Sequence, residues 1–471
     1  MKKTAQNPYL PLWEYVPDGE PRVFGDRLYV YGSHDRSGGD FFCLEDYVVW
    51  SASVDDLSDW RREGISYRRD QDPHNPGGKW ELFAPDVVRG SDGRYYLFYC
   101  LRMREEFGVA VSDTPAGPFT FYGHIRRPDG SIFDACMPYD PSVLVDDDGQ
   151  VYLYYGFGSQ QITSWYGVAF SEGCMMVRLS GDFLTVLSEP KCLIPRQECT
   201  AGTGYEGHGY VEAPSMRKIG GRYYLVYSSE VSHELCYGVS DRPDGDFVYG
   251  GVILSNGDMG LGGRTYPVYP LGNNHGGLVE VRGQYYLFYQ RHTRCNQFSR
   301  QGCAEKVTIL PDGSIPQVEV TTCGLNGGPL PAAGTWSAAL CCHLTAEDPS
   351  AMLRYRELDP ALHPCVWEDI QAPEPEQRTQ YVHNIRSGTT VGFKYFSGEA
   401  EKLAFSLRGE GSGALEVRLD APEGEPVGQA EVTPGRTWHT VMADAAFSGT
   451  HGVYLTFRGT GSIDLRDMTF C

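Results

Sequence analysis

Nowhere does the 471-residue chain carry an apolar run approaching the roughly 18 residues a helix needs to cross a membrane. The N-terminal MKKTAQNPYLPLWEY has two lysines but lacks the apolar core of a secretory signal. A cytoplasmic protein with no membrane partner is the expectation. Positive charge is scarce: 40 Lys and Arg stand against 61 Asp and Glu, a formal net charge of −21, with no basic cluster to offset it locally. Phosphate backbones are repelled, so nucleic acid is excluded as a partner. No CxxC pair occurs among the 14 Cys, most of which stand singly in apolar strands such as YYLFYC ending at Cys100. Buried free thiols are expected rather than disulfides or zinc sites, which suits a reducing compartment. Cys341, Cys342 and His343 have metal-binding side chains, but neighbours in a strand face opposite ways, so no site is expected there.

What the chain has in quantity is 57 Gly, 31 Tyr and 21 Phe, the usage of short strands joined by tight turns. These residues recur in order. A polar turn followed by an aromatic strand appears five times, as GDRLYVYG, DGRYYLFYC, DGQVYLYYG, GGRYYLVYSS and RGQYYLFYQ. Aligning the tracts superposes Tyr29, Tyr96, Tyr152, Tyr224 and Tyr286, at intervals of 56 to 72 residues. A unit of that length holds a four-stranded sheet, which cannot bury both faces alone, whereas five packed radially can. The fold expected for residues 1–325 is a five-bladed β-propeller. GLNGGPLPAAG (324 to 334) then has the composition of a linker. Beyond it, short alternating runs such as TVGFKYFS and GVYLTFRG predict a β-sandwich over residues 336–471, making the chain all-β.

Upstream of each aligned tyrosine, by 10 to 12 residues, stands a polar residue: Asp18, Asp86, Asp140, Glu212 and His275. Equivalent positions in a propeller form a ring around its axis, so three Asp and one Glu are expected near one another. Like-charge repulsion and burial both raise carboxyl pKa values, and stability alone would not select such a ring. Glycoside hydrolysis does need it, with one carboxyl kept protonated for the leaving oxygen and one ionised to activate water. Asp146, Asp147 and Asp148 precede Gly149 and read as a solvated hairpin turn rather than a calcium loop. Glu206 and His208, in YEGHGY before Glu212, either line a pocket or shape a loop.

The words PDGEP, FAPDV, DPSVLVDDDGQVYLYYG, VEAPSM and NNHGGLVE, in this order and at blade spacing, resemble glycoside hydrolase family 43 over residues 7 to 322. That family comprises five-bladed propellers, among them β-xylosidases, α-L-arabinofuranosidases and arabinanases that act with inversion. The resemblance implies Asp18 as general base, Glu212 as general acid, and Asp140 as the carboxylate that tunes and orients the acid. It further implies sugar contacts from Phe83 and Asp86 of the FAPD word, from Arg300 in SRQGCAEKV and from His275. In many members the histidine orders water or a calcium ion beneath the sugar; no cofactor is otherwise required. Phe83 stands where the family usually has Trp, and PDGEP replaces the usual PDP, so Glu20 is a rival base two residues from Asp18. The C-terminal words TVGFKYFS and IDLRDMTF are similar to the family 6 type of carbohydrate-binding module. The activity implied is exo-acting release of arabinofuranose or xylose from plant oligosaccharides. A retaining fructan-type hydrolase or transferase, and a sugar-binding propeller without activity, stay open at this point.

Overall fold

The computed structural model describes residues 4–102, 104–134, 138–159, 170–353, 358–370 and 372–471. Four sheets of four antiparallel strands follow one another along the chain. The first holds β1 (Glu20–Phe24), β2 (Arg27–Tyr31), β3 (Tyr47–Ser53) and β4 (Asp56–Tyr67). The second holds β5 (Leu82–Arg89), β6 (Tyr95–Leu101), β7 (Phe107–Ser112) and β8 (Thr120–His124). The third is β9 (Ser142–Val145), β10 (Val151–Tyr155), β11 (Gly173–Leu179) and β12 (Lys191–Pro195). The fourth is β13 (Tyr210–Ile219), β14 (Arg222–Ser229), β15 (Glu234–Ser240) and β16 (Val248–Ser255). A three-stranded fifth sheet, β17 (Leu278–Val281), β18 (Gln284–His292) and β19 (Arg300–Val307), completes the propeller.

The sequence repeat is the hairpin between the first two strands of every blade. Gly25, Gly93, Gly149, Gly221 and Gly283 sit in these turns at φ of 64°, 86°, 81°, 82° and 80°, backbone that a Cβ would strain. After each turn the aromatic strand is buried from both sides, because blades pack face to face; Tyr31, Tyr99, Tyr154 and Tyr227 are all fully buried. The ring closes through the N-terminal segment, where Asn7 N donates to Thr322 O at 2.9 Å and Asn7 Nδ2 to Ala304 O of β19 at 3.0 Å. Asp146 and Asp147 are more than a solvated turn: both take Lys218 Nζ of blade four, at 2.6 and 2.7 Å.

Among the described residues, every strand from Leu330 onward joins one ten-stranded sheet, ordered Cys365–Glu368, Gln380–Arg386, Ser462–Phe470, Thr390–Gly409, Gly435–Thr460, Ser412–Leu419, Gly428–Val432, with three short strands off this path. The stretch expected as a linker is folded into it: Leu330 pairs with Phe396 and Gly334 with Phe470. Nor does this domain bury its apolar residues apart from the propeller. Leu344, Val391 and Phe393 share one continuous buried cluster with Tyr269, Ile315 and Val320. At the same junction Lys394, almost fully buried, pairs with Asp258 at 3.2 Å and Glu319 at 2.8 Å. The thirteen described cysteines are all free thiols.

Candidate active site

Strand register decides which residues share a ring. The ladder partners of the five repeat tyrosines are Arg22, Val88, Leu144, Arg217 and Val279. Four residues before each partner stand Asp18, Ala84, Asp140, Ala213 and His275, with Glu212 beside Ala213 across a bulge. Asp18, Asp140 and Ala213 share left-handed backbone, at φ of 55°, 53° and 64°, so the chain turns into the axis the same way in three blades. Asp86 does not belong to this ring. It lies two residues further along, level with Glu20, Ser142, Ser215 and Gly277.

That second ring is a polar plug. Asp86 takes Arg22 Nε at 2.9 Å, Val143 N at 2.8 Å and Val87 N at 2.7 Å, and is fully buried. Glu20 takes Arg217 Nη2 at 2.5 Å and Ser215 Oγ at 3.1 Å. With their oxygens committed below the upper ring, Asp86 is a brace between blades rather than a sugar contact, and Glu20 is no rival to Asp18 as base.

On the upper ring the carboxylates meet. Asp18 is anchored by its own N–H, which donates to Gln290 Oε1 at 2.7 Å, and its Oδ1 receives Arg300 Nη1 at 2.8 Å. Arg300, for which the resemblance implies a sugar contact, is engaged by a second aspartate as well. Its Nε and Nη2 are held by Asp35 at 2.8 and 2.9 Å, and the side chain is fully buried beneath Phe42. Asp35 was not legible in the sequence, being separated from its partner by 265 residues. Asp140 Oδ2 accepts from Ala213 N at 3.0 Å, so the backbone beside Glu212 fixes Asp140. His275 Nδ1 stands between the two aspartates, 3.8 Å from Asp18 Oδ1 and 3.7 Å from Asp140 Oδ2. Phe83 is half-buried, its ring 5.6 Å from Tyr139, which in turn lies 5.5 Å from Phe157, and these rings give the site an aromatic flank.

The environment pulls the three acids apart. Burial acts to raise Asp18, but Arg300 and then His275 outweigh it and hold this carboxyl below its ordinary value. Glu212 is pushed up to about 7, by burial first and by the charge of Asp18 second. Asp140 is likewise raised to about 7, by burial against the pull of His275 and with added repulsion from Glu212 and Asp18. Asp18 is the firm charge beside the acid, while Glu212 and Asp140 repel one another and protonate near neutrality as a pair. At neutral pH this constellation offers one firm anion and a neighbouring pair that retains a proton, which suits paired base and acid chemistry.

The resemblance gives His275 water or a calcium ion held through water, and what the donor set here does not suit is direct ligation of that ion. Calcium takes six to eight oxygens, whereas here an imidazole nitrogen and the cationic Arg300 face the two aspartates, whose oxygens already hold Arg300 and Ala213 N. Glu206 accepts from Gly202 N at 2.6 Å and Thr203 N at 3.2 Å, so it shapes its own loop.

A family model described as "Glycosyl hydrolases family 43" matches residues 13–315. The chain is 44% identical to a xylosidase/arabinosidase of Thermoclostridium stercorarium, over 100% of both chains. Among solved structures it is similar to a β-xylosidase/α-arabinofuranosidase from a compost microbial metagenome, in complex with xylotriose, with a TM-score of 0.53 and 28% identity over 67% of this chain and 98% of that one. An arabinoxylan arabinofuranohydrolase from Bacillus subtilis, 21% identical with a TM-score of 0.52, covers 98% of this chain and 97% of its own, and shares the fold across both parts.

Proposed function

Because the chain belongs to glycoside hydrolase family 43, we propose that it is an inverting, exo-acting hydrolase releasing α-L-arabinofuranose or β-D-xylose from plant-polysaccharide oligosaccharides. The carrying observation is the opposed ionisation of two acids on one ring: Asp18 held low by Arg300, Glu212 raised to about 7. Asp18 takes a proton from water as that water attacks the anomeric carbon. Glu212 gives its proton to the departing glycosidic oxygen, so the bond to C1 forms on one face and breaks on the other. Asp140, fixed by Ala213 N, keeps a second proton-binding carboxyl beside the acid, and His275 holds the two aspartates at a set spacing. The long connections after β2 and β4, residues 32–46 and 68–81, favour a pocket closed at one end, hence action at chain ends. The names of the relatives, xylosidase and arabinosidase, favour these two sugars over galactofuranose.

The test is a panel of nitrophenyl α-L-arabinofuranoside, β-D-xyloside and galactofuranosides, with the first-formed anomer followed by proton NMR. Inversion gives β-arabinofuranose or α-xylose first. A first product of unchanged configuration would assign a retaining, fructan-type mechanism instead. Turnover of no member of the panel, by protein that binds xylo-oligosaccharides, would assign a sugar-binding propeller.

A further inference from the structure

His208, which catalysis does not use, lies in the loop that leads into the acid strand, four residues before Glu212. Beneath it stand Glu234 and Cys236, two residues apart on β15 and so on one face of that strand. Their ligand atoms converge. His208 Nδ1 lies 2.6 Å from Glu234 Oε1, Cys236 Sγ lies 3.4 Å from the same oxygen, and sulfur and imidazole nitrogen are 3.9 Å apart. Tyr249 stacks on the imidazole at 5.0 Å and brings its hydroxyl to 3.8 Å from the sulfur. Glu234 and Cys236 are buried, while the His208 side chain keeps 33% exposure, which leaves a way in from solvent.

The geometry points to a zinc-binding site formed by His208, Glu234 and Cys236, with a fourth position open to water. Zinc takes thiolate, imidazole and carboxylate together in tetrahedral sites. Its bond lengths set neighbouring ligand atoms about 3.3 to 3.6 Å apart. Both sulfur edges are within a few tenths of an ångström of that spacing. The short nitrogen-to-oxygen edge opens by about 0.7 Å once a metal replaces the shared proton. Binding releases the Cys236 thiol proton and moves the imidazole proton to Nε2, so affinity rises with pH. Ser229 Oγ, 2.6 Å from Glu234 Oε1, already orients the carboxylate as outer-sphere partners do. The bound ion ties the loop at 196–209 to the outer strands of blade four, just ahead of Glu212.

A second cluster, Asp72, His74 and His124, serves as the internal control. Its two imidazoles stack face to face at 4.1 Å, so their lone pairs run side by side rather than toward one centre. The experiment strips the full-length protein with chelator, then titrates it with zinc by equilibrium dialysis and with cobalt by absorption. One equivalent should bind, raise the melting temperature, and give with cobalt the near-ultraviolet charge-transfer band of a thiolate ligand. Cys236→Ser should abolish the band, and Glu234→Gln or His208→Ala should weaken zinc by about 100-fold, at or beyond the upper range seen for outer-sphere partners. His74→Ala should change neither. Circular dichroism shows that each variant is folded. Failure to bind one equivalent, a band that survives Cys236→Ser, or a loss caused by His74→Ala would each overturn the site.

Discussion

Replacing the buried Arg300 and Asp35 together, as Arg300→Gln/Asp35→Asn, should move the acid limb of the activity profile to higher pH. Asp18 must be ionised to act as base, and its depressed pKa is the outcome of a contest between burial, which raises it, and Arg300, which lowers it. The guanidinium contact at 2.8 Å is a charge-assisted hydrogen bond, a type worth about 1.5–3 kcal/mol. At 1.36 kcal/mol per pH unit, losing it raises Asp18 by about 1–2 units. Activity then switches on later as pH rises. The alkaline limb, set by Glu212, moves the same way but less, because Arg300 lowers that acid only through space. The double variant is needed because Arg300→Gln alone leaves Asp35 as an uncompensated buried charge, at a cost of about 3–5 kcal/mol. The assay is kcat/KM against pH on whichever aryl glycoside is turned over fastest, since that ratio reports the free enzyme. Thermal melting runs alongside. A folded double variant whose acid limb stays in place would refute the role given to Arg300.

In the unmodified protein kcat/KM should fall through an apparent pKa near 7 as pH rises, because Glu212 and Asp140 are both raised to about 7 and the reaction needs Glu212 protonated. Asp140→Asn should leave that limb as the single ionisation of Glu212, moved to lower pH because the repulsion between the two carboxyls is gone, and never shallower than before. Glu212→Ala should lower turnover of natural oligosaccharides by about 10²- to 10⁴-fold yet spare aryl glycosides with activated phenols, whereas Asp18→Ala should harm both; equal losses on both substrate types would undo the division of labour. Lys394→Met should destabilise the whole chain by about 3–5 kcal/mol in denaturant titration, since it leaves Asp258 buried without its cation. A small effect would show that the junction tolerates that charge.

Five blades were legible because a short-range device repeats, a glycine turn and an aromatic strand, and both parts are fixed by local backbone and burial. The upper ring was legible to the extent that counting residues from the tyrosines follows the ladder. Counting failed at Asp86 because the longer turn between β5 and β6 puts Tyr96 opposite Val88, so Asp86 lies only two residues before that partner, whereas Asp18, Asp140 and His275 lie four before theirs. The Arg300–Asp35 pair was illegible for a different reason, since nothing periodic links side chains so far apart in the chain.

The two rings explain why the misplaced residue still matters. A propeller axis gathers strand starts from every blade, so acids useful for catalysis come with desolvation and mutual repulsion. Here each layer meets that repulsion with its own cation: Arg22 and Arg217 against Asp86 and Glu20 below, Arg300 against Asp18 and Asp35 above. The lower layer compensates both of its acids and so can only hold blades together. The upper layer places its arginine on Asp18 and leaves burial to keep Glu212 and Asp140 near neutral pKa. It is this unequal compensation, more than the presence of acids at the axis, that separates a catalytic ring from a structural one two residues away.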